Sequence, residues 1–292
     1  MNTTAQPMRY LHVDVFAPSA YAGNSLPVFM DIPGLNAAQM QAITRELRHF
    51  EAIFLTSTSE PQRFGARVFD LLEELPFAGH PVIGAAAALH YSSTGSETGN
   101  WTFDLLERTV SVTTTRTSQG YSALLDQGAA VVSGQYRHRG RIAHAFDLEE
   151  SDLVPTLPVE VISTGLRYLI IPVRSEALAR ARINTDITPL VTDAGAQFAV
   201  LLDDAGCEIR HWNNDGVIED VATGSAAGTI GAYRLRHCGA VSGERFTLNQ
   251  GRFAGRPSRI DVEPHGTPDA IHSVKVGGSV AIVGWGMLEA RP

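Results

Sequence analysis

Two stretches of the chain carry apolar or small residues at almost every position of a predicted helix. The first begins at Gly79-His80-Pro81 and runs to Leu89, and a proline suits a first helical turn because its missing N–H has no partner there. The second begins at Gly224 and runs to Tyr233. A helix without a polar face is buried on all sides rather than laid on a surface. The pattern therefore predicts two central helices, each enclosed by other elements.

Short alternating or apolar segments around both helices predict strands. In Leu11–Val15 apolar and polar residues alternate, which is typical of a half-buried strand. Asn36 is a candidate N-cap for a helix whose apolar face holds Met40, Ile43 and Leu47. The other predicted strands are 28–30, 51–55, 66–69, 109–114, 159–163, 169–173, 198–202, 260–262, 274–276 and 280–283. The pattern indicates two similar domains, each a curved sheet around one helix, with the polar segment 117–129 as the predicted linker.

The composition narrows the class of protein. With 292 residues, 44% apolar and 18% charged, the chain has the composition of a soluble globular protein. Its net charge of -8 without a basic patch argues against a nucleic-acid partner, and no apolar run is long enough to span a membrane. Cys207 and Cys238 are too few for a disulfide framework and lack the spacing of a zinc site. Met1 to Met8 lacks the features of a signal peptide, so the expected location is the cytoplasm.

The two buried helix starts are candidates for anion binding. A helix start leaves up to four N–H groups without helical partners and carries a partial positive charge. A substrate carboxylate can accept hydrogen bonds from these N–H groups, and its negative charge is attracted to the helix start. Gly79 and Gly224 would let such a ligand approach the backbone. The alternative is that both glycines only permit tight packing of a buried helix.

Glu51 is the candidate for proton transfer. It opens an otherwise apolar segment, and a carboxylate removed from water by such neighbours has a raised pKa, which suits a proton-shuttling group. The alternative is a solvent-facing glutamate at a strand start. The other polar candidates also have structural alternatives: His80 as a packed histidine, Asp220 as a helix cap, and Ser225 as an ordinary first-turn residue.

Several segments in a fixed order carry a resemblance to a known family. The chain is similar to the PhzF-like family, which shares the diaminopimelate epimerase fold, and the resemblance runs from Tyr10 to about Met287. The strings that carry it are Val13-Asp14-Val15-Phe16, Gly23-Asn24, Glu51-Ala52-Ile53-Phe54, Glu74-Leu75-Pro76-Phe77-Ala78-Gly79-His80-Pro81, Ser163-Thr164-Gly165, Gly216 to Gly228, Gln250-Gly251, Gly255-Arg256-Pro257-Ser258 and Val276-Gly277-Gly278.

The resemblance implies an α+β fold of two pseudo-symmetric domains, each a mixed β-sheet wrapped around a central buried α-helix. The expected N-terminal domain covers 1–120 and is completed by a strand at 279–292, and the C-terminal domain covers 130–278. The family's best-known member isomerises trans-2,3-dihydro-3-hydroxyanthranilate, in which a glutamate moves a proton between ring carbons. No cofactor and no metal are expected, and the resemblance suggests a homodimer that acts on a small carboxylate substrate.

The resemblance also assigns roles to residues. The implied catalytic residues are Glu51 as acid and base with His80, Asp220 and Ser225 as positioning groups. The implied substrate-binding residues are Gly79, Gly224, Asn24 and Thr223.

The chain departs from the family pattern around the expected pocket wall. Phe50 stands where a small polar residue often precedes the glutamate, Val221 replaces a proline, and His211-Trp212-Asn213-Asn214 replaces a Phe-Ala-Pro run. These changes bear on the substrate more than on the reaction. A cysteine-dependent racemase is excluded because neither cysteine lies at a helix start. A dinucleotide-dependent oxidoreductase is excluded because Gly23-Asn24-Ser25-Leu26, after the first strand, does not supply Gly-x-Gly-x-x-Gly. A non-catalytic small-molecule binding protein on the same fold stays open as the alternative.

Overall fold

The computed structural model of the chain describes residues 7–93 and 95–292, and in this part it has sixteen strands and six α-helices. The strands are β1 (Met8–Val15), β2 (Asn24–Met30), β3 (Glu51–Ser57), β4 (Arg63–Asp70), β5 (Glu74–Leu75), β6 (Thr98–Asp104), β7 (Thr109–Thr117), β8 (Gly120–Asp126), β9 (Val131–Gln135), β10 (Glu160–Ser163), β11 (Arg167–Pro172), β12 (Phe198–Asp203), β13 (Glu208–His211), β14 (Phe246–Gln250), β15 (Ser258–Thr267) and β16 (Ala270–Leu288). The helices are α1 (Ala37–Leu47), α2 (Gly79–Ser92), α3 (Arg139–Ala145), α4 (Ser175–Arg180), α5 (Thr188–Asp193) and α6 (Gly224–His237).

The described residues divide into two compact units. The first joins the chain up to Leu125 with Gly277–Pro292, and the second is Asp126–Val276. The sequence-based domain limits, 1–120 with 279–292 and 130–278, stay a prediction. The predicted linker 117–129 contains the boundary between the units, but it is not a loop, because β8 occupies most of it. Its buried Tyr121, Ala123 and Leu125 alternate with less buried residues, a period-two pattern that the polar neighbours obscure.

In the first unit a mixed sheet closes on itself. Its strand order is β1-β2-β3-β4-β6-β7-β8-β16, and β16 pairs with β1 as well. The pairs β2–β3 and β4–β6 are parallel, while β1–β2, β3–β4, β6–β7 and β7–β8 are antiparallel. The sheet surrounds α2, whose residues from Gly79 to His90 are all buried, as the pattern without a polar face predicts.

Gly84 explains how α2 lies so close to these strands. A Cβ at this position would stand 2.6 Å from Leu26 Cδ2 and 2.9 Å from Val15 Cγ2, so only glycine fits without displacing side chains. On the other face of the sheet, α1 begins at the predicted N-cap Asn36, which forms a capping box with Gln39. The first unit thus has one helix inside the sheet and one outside it.

The second unit repeats this arrangement with a different outer layer. Its strand order is β16-β15-β14-β13-β12-β11-β10-β9, with β11–β12 and β13–β14 parallel. Helix α6 packs on β10, β11 and β15, and its Gly231 lies against Val262 and Val274, where a Cβ would meet methyl carbons at 2.6 and 2.9 Å. Helices α3, α4 and α5 contribute to a separate apolar core, in which Ile142, Leu178 and Leu190 are buried.

Within residues 7–93 and 95–292, no helix combines the length and the apolar content that crossing a membrane requires. The N-terminal segment Met1 to Met8, considered above for a signal peptide, lies for its first six residues outside the described part.

Candidate active site

The start of α2 brings two predicted residues together in the first unit. Glu51 is the first residue of β3, and His80 lies in the first turn of α2. Glu51 Oε2 lies 3.0 Å from His80 Nδ1, and the side chains are 18% and 8% exposed. The two atoms are at ion-pair distance when His80 is protonated, and the burial removes most of the water that would screen the pair. Glu51 and His80 are therefore a candidate pair for proton transfer.

The other two predicted residues of the first unit lie at element starts. Gly79 is the first residue of α2, is buried, and follows Ala78, whose methyl group cannot accept a hydrogen bond from the first helical turn. The N–H groups of that turn therefore need acceptors from elsewhere. Asn24 is the first residue of β2, lies opposite Val15 of β1 and is 1% exposed.

In the second unit, Asp220 and Thr223 are joined in the loop before α6. Thr223 is the N-cap of α6, and its hydroxyl Oγ1 donates a hydrogen bond to Asp220 Oδ2 at 2.6 Å. The backbone N–H of Ala222 donates to Asp220 Oδ1 at 3.2 Å. Both oxygens of the Asp220 carboxylate thus accept hydrogen bonds from the residues that follow it, which restrains the plane of the carboxylate.

Ser225 lies in the first turn of α6 beside an aromatic side chain. Its Oγ is 2.7 Å from the hydroxyl of Tyr168 on β11. The ring of Tyr168 contacts His211, with ring centroids 5.5 Å apart, and His211 Nδ1 bonds to the carbonyl oxygen of Ala199 at 2.9 Å. Burial lowers the pKa of His211, and the negative charge of Asp220 opposes this shift only in part. His211 is therefore neutral at pH 7.

An ion pair holds Glu219, the residue directly before Asp220. Arg210 donates from Nε and Nη2 to the two carboxylate oxygens of Glu219, at 2.8 and 2.7 Å. Its guanidinium also lies 4.3 Å from the ring centroids of Trp212 and Phe253. The arginine side chain is 4% exposed, so the pair is bidentate, stacked and largely removed from water.

Sequence reasoning identified Asp220 but missed the residues that hold its loop. Gln250 bonds to Asp220 and Thr223, and in the sequence it stands out only as part of the Gln250-Gly251 string shared with the family. A signal was present: in β14, Leu248 and Gln250 are buried at alternate positions, so a glutamine occupies an inward-facing site. Tyr168 and Arg210 gave no comparable signal, because their partners Ser225 and Glu219 belong to other elements.

Among residues 7–93 and 95–292, no group of three or more histidine, cysteine, aspartate or glutamate side chains is arranged to hold a metal ion. The predicted residues fall into two groups, each described within its own unit: Asn24, Glu51, Gly79 and His80 in the first, and Asp220, Thr223, Gly224 and Ser225 in the second.

Comparison with known proteins adds to this geometry. The sequence model of the family described as PhzC-PhzF, phenazine biosynthesis-like protein, matches residues 13–286. The chain is 31% identical over 286 residues to trans-2,3-dihydro-3-hydroxyanthranilate isomerase of Pseudomonas aeruginosa, which covers 94% of this chain and 96% of that protein. The similarity thus extends over nearly the full length of both chains.

Solved structures are similar to the chain as well. One, described as a predicted epimerase from Pseudomonas aeruginosa, has a TM-score of 0.89 and 46% sequence identity, and the match covers 96% of this chain and 99% of that one. A hydroxyproline epimerase from Agrobacterium vitis has a TM-score of 0.63 at 13% identity, with 97% and 93% covered, which bears on the fold alone. The predicted α+β, epimerase-like fold is confirmed.

Proposed function

The chain belongs to the family of phenazine biosynthesis-like proteins, PhzC-PhzF, and on this premise we propose that it is an isomerase that moves a proton within a small carboxylate-bearing substrate. Relatives about 30% identical are named trans-2,3-dihydro-3-hydroxyanthranilate isomerase, and we propose this compound as the first substrate to test. The observation that carries the proposal is the largely buried pair of Glu51 and His80, with 3.0 Å between Oε2 and Nδ1.

In the proposed reaction the Glu51 carboxylate is the acid and base. It accepts a proton from one ring carbon as that C–H bond breaks and the double bond shifts, and it returns a proton to another carbon. The product has the same atoms and the same oxidation state as the substrate, so proton transfer alone accounts for the change. In the proposal the protonated imidazole of His80 holds the carboxylate by its charge, because its Nδ1 lies 3.0 Å from Oε2.

The other residues hold the substrate in the proposal. We assign the hydroxyl or amine of the substrate to Asp220 and His80, and its carboxylate to the backbone N–H groups at Gly79 and Gly224, with Ser225 and Asn24 as further polar contacts. Both glycines are buried first residues of helices, and this supports the carboxylate assignment because first-turn N–H groups need acceptors. A homodimer and a cytoplasmic location stay predictions.

The test is turnover of trans-2,3-dihydro-3-hydroxyanthranilate by the purified protein, followed by product NMR. We expect isomerised product from protein dialysed exhaustively against a chelator, since the proposed chemistry needs only side chains. Absence of turnover would contradict this choice of substrate. Activity lost with the chelator and restored by one particular metal would contradict the mechanism.

A further inference from the structure

One buried side-chain amide holds the loop that carries Asp220. Gln250 is the last residue of β14 and is 1% exposed. Its Nε2 donates hydrogen bonds to the Asp220 carbonyl oxygen and to Thr223 Oγ1, both at 2.9 Å, and its Oε1 accepts the N–H of Thr223 at 2.8 Å. Both amide protons of Gln250 are thereby used on the loop.

The partners of Gln250 determine which way its amide lies. If the oxygen and nitrogen were exchanged, the NH₂ group would face the N–H of Thr223, and the amide oxygen would face the carbonyl oxygen of Asp220. Donor would meet donor and acceptor would meet acceptor in a buried place, which is strongly unfavourable. The orientation with Nε2 towards the Asp220 carbonyl is therefore the one that the surroundings allow.

This orientation in turn fixes the proton of the Thr223 hydroxyl. A hydroxyl has one proton to donate, and Thr223 Oγ1 already accepts a hydrogen bond from Gln250. Its proton therefore points to Asp220 Oδ2, which lies 2.6 Å away. Gln250, Thr223 and the Asp220 carboxylate form a directed chain of hydrogen bonds, and Ala222 supplies the second restraint on that carboxylate.

We propose that Gln250 and Thr223 are positioning residues that set the orientation of the Asp220 carboxylate. The proposal rests on the proposed function, in which Asp220 holds the substrate. It also changes the expected role of Thr223: the hydroxyl is engaged with Gln250 and Asp220, so Thr223 acts through Asp220 rather than on the substrate itself. A displacement of about 1 Å in a positioning group can lower turnover by about 100-fold, so such a chain would matter for the rate.

Four variants test the proposal. Gln250→Met removes all three amide contacts at similar size, Thr223→Val removes the hydroxyl at similar shape, and Thr223→Ser keeps the hydroxyl. The fourth, Tyr233→Phe, is the matched control: it deletes a buried hydroxyl of α6 that bonds to the carbonyl oxygen of Pro158, away from the Asp220 loop. Crystal structures give the Asp220 side-chain orientation, and steady-state kinetics on trans-2,3-dihydro-3-hydroxyanthranilate give kcat and KM separately.

We expect Gln250→Met and Thr223→Val to rotate Asp220 and to lower kcat by about 10- to 100-fold with a smaller change in KM. The kcat of Thr223→Ser should stay within about threefold of wild type. The double variant of Gln250→Met with Thr223→Val should be no slower than the slower single variant, because both substitutions interrupt the same series of hydrogen bonds. Tyr233→Phe should lower the melting temperature while leaving kcat within about twofold.

Two results would overturn the proposal. One is an unchanged Asp220 orientation in the crystals of both Gln250→Met and Thr223→Val. The other is a rotated Asp220 with kcat unchanged in an active enzyme, which would leave these residues a structural role only. Wild-type protein that leaves the substrate unconverted contradicts the proposed function instead, and the crystals then still decide whether Gln250 and Thr223 hold Asp220.

Discussion

The two central helices are both enclosed by a sheet, yet the polar residues beside their first turns are arranged differently. At α2 the chain arrives through Ala78, and the polar groups at the helix start are the neighbouring pair Glu51 and His80. At α6 the chain arrives through a loop in which Asp220 and Thr223 are bonded to each other and to Gln250. The start of α2 lies beside a candidate pair for proton transfer, and the start of α6 follows groups that are held by several hydrogen bonds.

This difference separates two requirements of proton-transfer catalysis. A general base must change its protonation state during turnover, so its pKa must lie near the working pH. A group that holds the substrate must keep one geometry, so it benefits from a network in which each donor and acceptor is matched. Glu51 is the candidate for the first requirement, and Asp220 is the candidate for the second.

The largest expected effect concerns the different roles proposed for Glu51 and Asp220. Glu51→Gln keeps the size of the side chain but cannot take up a proton, so turnover should fall by about 10²–10⁴-fold or more while ligand binding survives. Asp220→Asn should lower kcat less, by about 10- to 100-fold with a smaller change in KM, because Asp220 positions the substrate and does not take up the proton. Glu74→Gln, in the same unit as Glu51, is the control and should leave both constants near wild type. Equal losses of kcat in Glu51→Gln and Asp220→Asn would break the comparison.

The next largest effect is on the free energy of unfolding, and it differs between one ion pair of the first unit and one of the second. Arg210–Glu219 and Arg67–Glu74 are both bidentate, but the arginine side chains are 4% and 39% exposed. Glu219→Gln leaves a buried guanidinium without its counter-charge and should lower the free energy of unfolding by about 3 kcal/mol. Glu74→Gln should lower it by about 0.2–1 kcal/mol. Urea unfolding measures both, and similar losses would show that the loop before α6 is no more firmly held than the surface of the first unit.

A smaller loss of stability should be the same in both units when a glycine of the central helix is replaced. Gly84→Ala in α2 and Gly231→Ala in α6 each push a methyl group into side chains of the surrounding sheet. Overpacking costs about 1–3 kcal/mol, and the better helix propensity of alanine returns up to about 1 kcal/mol. We expect net losses of about 1–2 kcal/mol by urea unfolding. Gly284→Ala, where a Cβ meets nothing within 4 Å, is the control. A stabilised Gly84→Ala or Gly231→Ala variant would show that the helix is less tightly enclosed.

The smallest effect is a pH dependence that belongs to the second unit. Burial lowers the pKa of His211 below the ordinary histidine value of 6.5. Below about pH 6.5 the unfolded chain therefore binds a proton that the folded chain does not, and stability falls as the pH decreases towards the folded pKa. The slope from one such group is at most about 1.4 kcal/mol per pH unit. His211→Asn, which keeps a donor for Ala199, should flatten this part of the stability profile, and an unchanged profile would exclude His211 as its source.

The sequence predicted the features whose signal lies within a few neighbouring residues. The all-apolar pattern after Pro81 predicted α2, and Asn36 predicted the start of α1, because capping and burial leave their mark within a few residues. The long strand β16 was predicted as two strands, 274–276 and 280–283, because Gly277 interrupts the pattern. A Cβ at Gly277 would lie against the carbonyl oxygen of Ala123, so the glycine marks a close approach of two strands rather than a break.

The candidate site was predictable only in part. The resemblance assigned roles to Glu51 and Asp220, but their surroundings depend on contacts between distant parts of the chain. Gln250 lies 27 residues from Thr223, and Tyr168 lies 57 residues from Ser225. Pairs so far apart in the sequence produce no periodic pattern in it. The hydrogen bonds that restrain Asp220 and Ser225 are therefore visible only in the folded chain.

The most direct test of the account follows the proton at Glu51. Wild type and Glu51→Gln are incubated with trans-2,3-dihydro-3-hydroxyanthranilate in D₂O, and deuterium in substrate and product is measured by NMR. With wild type we predict deuterium at a ring carbon, because the Glu51 carboxyl exchanges its proton with solvent before returning it; with Glu51→Gln incorporation should be at least about 100-fold slower. Incorporation at the same rate in both proteins would contradict the claim that Glu51 moves the proton.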